Sequence, residues 1–199
     1  GCRLTGGICN IFIGRQAGAT ATTSCLMTAI GESAMGTGVA TGKFGVLIGP
    51  GAGMKMTSSL ATIGIGQSAQ AQLTSGAYNI GIGRGSQSGV DGTFVTGQGS
   101  VAVGDSTMNK LSTGRCNAAL GWNAMGCVTS GCSNIAIGQN AGNTLTTQSC
   151  SINIGCCADQ TAAGIACIVA SCLLTNCFYE TSDCRSKCSI KDLPYGLSF

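Results

Sequence analysis

A β-branched or leucine residue stands immediately before a glycine nine times along the chain: Ile13-Gly14, Ile30-Gly31, Ile48-Gly49, Ile65-Gly66, Ile82-Gly83, Val103-Gly104, Leu120-Gly121, Ile137-Gly138 and Ile154-Gly155. The intervals between these glycines are 17, 18, 17, 17, 21, 17, 17 and 17 residues. Three positions before each glycine come Ile11, Thr28, Val46, Ile63, Ile80, Val101, Ala118, Ile135 and Ile152. Two such positions separated by one residue have the period of an extended chain, so each unit predicts a short β-strand with both side chains on one face. The residue between them is usually small, as at Ala29, Gly64, Gly81, Ala102, Ala119 and Ala136, with Phe12, Leu47 and Asn153 as exceptions. Small residues on the second face imply close packing there as well, and a strand buried on both sides is the expectation.

The anchor glycine is expected to take a backbone conformation that other residues resist and to turn the chain at the strand end. A small residue follows three positions later (Ala17, Ala34, Ala52, Ala69, Ser86, Thr107, Ala124, Ala141, Ala158), and a second glycine often comes next, as at Gly18, Gly53 and Gly142. Before the strand stands a short polar residue, Asn10, Asn79, Ser100, Asn117 or Asn134, suited to bonding nearby backbone or stacking in a ladder. No helical period is visible. A 17-residue unit of strand and turns is one coil of a parallel β-solenoid or β-roll, an all-β fold whose coils bury apolar surface only by stacking. At about 4.8 Å per coil, nine coils make a rod of roughly 40 Å. So thin a core predicts association of several chains, most simply a homotrimer, with the small-residue face turned toward the common axis. The 21-residue unit predicts a local bulge around residues 89–97.

The repeat units carry a resemblance. Asn134-Ile-Ala-Ile-Gly-Gln-Asn-Ala-Gly142 and Asn10-Ile-Phe-Ile-Gly-Arg-Gln-Ala-Gly18 resemble the repeats of phage and large-virus tail fibres. Ser100-Val-Ala-Val-Gly-Asp-Ser-Thr107 is similar to the shorter repeats in the heads of trimeric autotransporter adhesins. This likeness covers about residues 7–160. Further on, Ser182-Asp-Cys-Arg-Ser-Lys187, then Ile190 and Leu193-Pro-Tyr-Gly-Leu-Ser-Phe199, resembles the opening of the endosialidase-type intramolecular chaperone domain. That resemblance implies Ser182 as nucleophile and Lys187 as base of a self-cleavage dyad, with the scissile bond at Thr181–Ser182. A lysine shielded from water gives up its proton more readily and can activate a hydroxyl. Ser186 stands where the family has Leu, Cys184 and Cys188 are unusual in the motif, and the family's domain continues well past Phe199. Cleavage within this chain is therefore not expected. The organisation read this way is a repeat shaft over 1–160, a degenerate final coil and linker over 161–181, and a truncated chaperone-like start over 182–199.

Composition narrows the function. Of 199 residues, 33 are Gly, 14 Cys and none His, and only 9% are charged. Collagen needs twice that glycine and far more proline. Without histidine, imidazole-based catalysis and metal binding are excluded, and no metal or other cofactor is expected. A formal charge of +3 is too small and scattered to argue for nucleic acid. The longest apolar run, 162–174, is too short to cross a membrane as a helix. The chain opens Gly-Cys-Arg, without a leader, and reads as the interior of a longer product. It has no Asn-x-Ser/Thr glycosylation acceptor. The Gly64-Ile-Gly66 and Gly81-Ile-Gly83 pairs recur with the coil and open no helix, which sets aside a dinucleotide loop.

Eleven cysteines lie between Cys116 and Cys188. Cys9, Cys116, Cys150 and Cys167 each fall five residues before an anchor if Cys172 is taken as a tenth. Cys150 and Cys167 would then stack on adjacent coils within disulfide reach. Buried free thiols and a cysteine-only metal site over 167–188 are the alternatives, although the paired spacing of a zinc site is missing. Trp122 follows an anchor glycine and is either an exposed receptor- or sugar-contacting ring or a packing residue. Asp91 and Asp105 would be a glycosidase pair if they met across coils, but Asp91 falls in the 21-residue unit and is expected to be a turn residue, so an enzyme is not expected. The reading that emerges is a structural shaft of a viral fibre or tail spike on the virion surface, contributing to host attachment. Its expected partners are its own copies, a virion base protein and a host receptor or glycan. A cell-surface trimeric adhesin or extracellular filament is the alternative.

Overall fold

A computed structural model describes residues 3–36, 40–90, 95–159 and 162–169. Every predicted strand is present and three residues long: β1 (Ile11–Ile13), β2 (Thr28–Ile30), β3 (Val46–Ile48), β4 (Ile63–Ile65), β5 (Ile80–Ile82), β6 (Val101–Val103), β7 (Ala118–Leu120), β8 (Ile135–Ile137) and β9 (Ile152–Ile154). A tenth, β10 (Ala166–Ile168), follows. They form one parallel sheet in sequence order, β1 to β10, each strand bonded to the next. The Ile-Gly pairs stand in one continuous column, so the fold is a β-solenoid.

The anchor glycines have φ between 117° and 136°, a region that side chains resist. Space forbids a side chain too: a Cβ on Gly49 would lie 2.5 Å from the carbonyl oxygen of Gly66, and one on Gly31 2.6 Å from that of Gly49. From Gly31 onward each anchor N–H donates to the preceding coil, as Gly66 does to the Ile48 carbonyl at 2.7 Å. Three more corners per coil also take positive φ, and here other residues are held left-handed: Gln16, Ser33 and Asn140 at one corner, Met35, Gln70 and Met125 at another, Phe44, Tyr78 and Cys116 at the third. Inter-coil bonds hold them there, for example Ser33 N–H to the Arg15 carbonyl at 2.8 Å.

The two strand faces divide differently from the expectation. The middle residue of each strand from β2 to β9 is buried, while its two neighbours point outward and are half-buried or exposed. The small-residue face therefore lines the interior of the chain's own coil, and no common axis between chains is needed to bury it. The reason is volume compensation with the residue six positions later. Phe12 and Leu47 project over Gly18 and Gly53, where any Cβ would strike the Phe12 ring or the Leu47 methyls at 2.7 Å. Ala29, Ala102 and Ala119 leave room for Met35, Met108 and Met125 in the same buried cluster. Gly64 and Gly81 lie against the buried Gln70, whose Nε2 donates to Gln87 Oε1 at 3.0 Å. In the first seven coils one large and one small residue so paired fill a narrow interior, whereas in the eighth Ala136 and Gly142 are both small and Leu145 lies against Gly142.

The Asn ladder forms. Asn134 Oδ1 accepts from the Ser151 N–H at 3.0 Å while its Nδ2 donates to the Gln148 carbonyl at 2.8 Å. Asn10, Asn79 and Asn117 repeat the arrangement. On either side of the long unit's extra residues the stacking is kept: Gln72 N–H donates to the Ser88 carbonyl and the Val95 N–H to the Gln72 carbonyl. Val95 is buried.

Candidate functional site

The outward strand residues form the most distinctive surface of the described chain. Twenty positions face out from β1 to β10, and seventeen of them are Ile, Val or Leu. None is charged. Ile11 and Ile13 keep 53% and 56% of their surface exposed, Leu120 50%, Ile137 43% and Ile168 45%. Monomeric proteins seldom leave contiguous apolar patches above a few hundred Å² in water. The expectation of strands buried on both faces thus fails in the single chain, because nothing within the coil covers this side.

The face is not uniform. Val101 and Ile135 flank Ala118 on neighbouring strands, and the missing branches at Ala118 open a recess of about 220 Å³. Val101, Val103, Ala118, Ala119, Leu120, Ile135 and Ile137 line it. Sequence reasoning missed this site. Its signal was there in the alanine at a position that carries Ile or Val in seven of the nine predicted strands.

Flanking the sheet, the residues just after each anchor form a polar column with ion pairs between adjacent coils. Arg15 pairs with Glu32, and Arg84 with Asp105 at 2.7 Å. The Ser106 hydroxyl, then the Arg84 guanidinium, hold the Asp105 carboxyl below its ordinary range. Asp105 is thus committed to a cation, and its proposed catalytic companion Asp91 lies outside the described residues. Trp122 stands in the same column with 51% of its surface exposed.

Ser182 and Lys187 also lie outside the described residues. Cys150 and Cys167 are both described, and both are free thiols. Their expected stacking does not occur, because the tenth coil has a different register. β10 pairs with β9 so that Cys167 sits opposite Asn153 inside the coil, and Val169 takes the anchor slot in place of Cys172. Gly164, with φ 72° and its N–H on the Ser149 carbonyl, occupies the corner above Cys150. Cys156 and Cys157 approach at 3.5 Å between sulfurs on the surface, and the Cys157 thiol raises the Cys156 pKa. Among the described residues no group of three or more His, Cys, Asp or Glu side chains could hold a metal, and no helix is long and apolar enough to cross a membrane. Compared with family models, curated proteins and solved structures, the chain matches none.

Proposed function

We propose that this chain is a structural shaft segment of a multichain fibre, with three copies packed through their outward strand faces. The observation that carries the reading is the uncharged apolar face that runs the length of the sheet. Ten exposed large side chains on it leave on the order of several hundred Å² of apolar surface, the scale of one partner's share in a stable interface. Association through the strand face replaces association through the small-residue face, which the chain buries by itself. Rigidity follows from the anchor glycines and the Asn ladder, which bond each coil to the next. The fibre-like repeat motifs support a place on a virion surface and a part in host attachment, with a base protein at one end and a host receptor or glycan as the external partner. An adhesin or extracellular filament would use the same packing. The role is mechanical and does not call on catalysis.

Native mass spectrometry and sedimentation of the purified chain test this. A three-chain mass is expected, with Ile135→Asp and Ile137→Asp shifting it to a single chain while the far-ultraviolet spectrum of the coil is retained. A wild-type chain that stays monomeric at micromolar concentration overturns the proposal.

A further inference from the structure

Resting on the shaft reading, we infer that the Ala118 recess is a socket for Trp122 of a second copy, and that this pair fixes the axial register of the assembly. A smooth apolar face with one strand every 4.8 Å or so would let neighbouring chains slip by whole coils at little cost. A register needs a distinguishing feature, and among the described residues the face offers the recess of about 220 Å³ left by Ala118 between Val101 and Ile135. A cavity of about 150 Å³ already admits a benzene ring, so the recess has room for a large side chain.

The occupant is identified by height. In a closed assembly with its rotation axis along the coil stack, each copy keeps the same level, so the group entering the recess comes from the coil that forms it. That coil carries Leu120 within the lining and Trp122 beyond it, and Trp122 is the only tryptophan of the chain. Ala118 opens β7 and Trp122 lies two residues past its end, so the missing side chain and the ring stand at opposite ends of one strand, with the recess running between Val101 and Ile137. A cyclic arrangement brings opposite edges of neighbouring copies together. The indole is half-exposed in the single chain, in a column where most coils carry polar groups. Aromatic rings seated in apolar recesses are the characteristic anchors of protein interfaces.

The single tryptophan reports on itself. In the wild-type assembly its emission is expected to be blue-shifted and protected from acrylamide. Ala118→Leu, which fills the socket, should abolish that protection, whereas Ala166→Leu, the same enlargement at the corresponding position of β10, should leave it unchanged. Trp122→Ala should raise the concentration at which the assembly dissociates and needs no change in the socket. Three results overturn the inference while leaving the shaft intact: a wild-type oligomer whose tryptophan is fully quenchable, one whose protection survives Ala118→Leu, or one in which only added sugar protects the ring. A monomeric wild type instead overturns the shaft reading on which the inference rests.

Discussion

At the scale of the residue, glycine is required for two separable reasons, and two positions isolate them. Gly49 has φ 130° and no room for a Cβ beside the Gly66 carbonyl. Gly164 has φ 72° with nothing within 4 Å of an added Cβ. Gly49→Ala should cost about 3 kcal/mol, backbone strain plus overpacking, while Gly164→Ala should cost about 1 kcal/mol, strain alone, as read by denaturant unfolding. Asp105 gives a pH prediction. Because its folded pKa is lowered, its ion pair contributes stability above the unfolded value, and that contribution disappears as pH falls through the folded one. Asp105→Asn should therefore lower the melting temperature slightly at neutral pH and make no difference in strong acid. The effect stays small because the pair is open to solvent and salt. Residue identity also shows where sequence reading stopped. The anchor glycines were legible because the turn and the tight stacking both demand them, whereas Met35, Met108 and Met125 take a left-handed backbone, φ between 49° and 52°, without any glycine to announce it.

At the scale of the element, a strand of three residues holds only because coil and neighbour share their core volume. Met125 fills the space that Ala119 leaves. Met125→Ala should destabilise by about 3 kcal/mol through the cavity it opens. Adding Ala119→Met should recover part of that loss, so the double-mutant cycle should give a coupling of about 1 kcal/mol, and strict additivity would contradict the compensation. The strands and the ladder could be read from the period-2 pattern and the recurrent Asn. Which strand face turned inward could not, since alternation separates two faces without saying which one the rest of the coil will cover. The deciding pattern was the anticorrelated size six residues apart, Phe12 with Gly18 and Leu47 with Gly53, and it shows only once the coil closes. The tenth strand illustrates the same limit. Spacing alone placed its anchor at Cys172, but sheet pairing placed it at Val169 and put Cys167 inside the coil.

For the whole molecule, an open apolar sheet face makes stability depend on concentration. Association that favours the folded assembly over the unfolded chain should raise the melting temperature as protein concentration rises, and Ile135→Asp should remove that dependence. A melting temperature constant over a hundredfold dilution range, about the span such linkage needs, would argue that the face stays bare. The sequence by itself determined the coil: its length, its strands, its glycine corners and its Asn ladder. Each of these is a local demand, and a demand repeated from coil to coil leaves a periodic trace in the chain. Only the tertiary structure decided which side is interior, where Ala118 opens a recess and how the final coil is registered. Those outcomes depend on which side chains meet across the closed coil, and residues far apart in the chain meet only after it has wound.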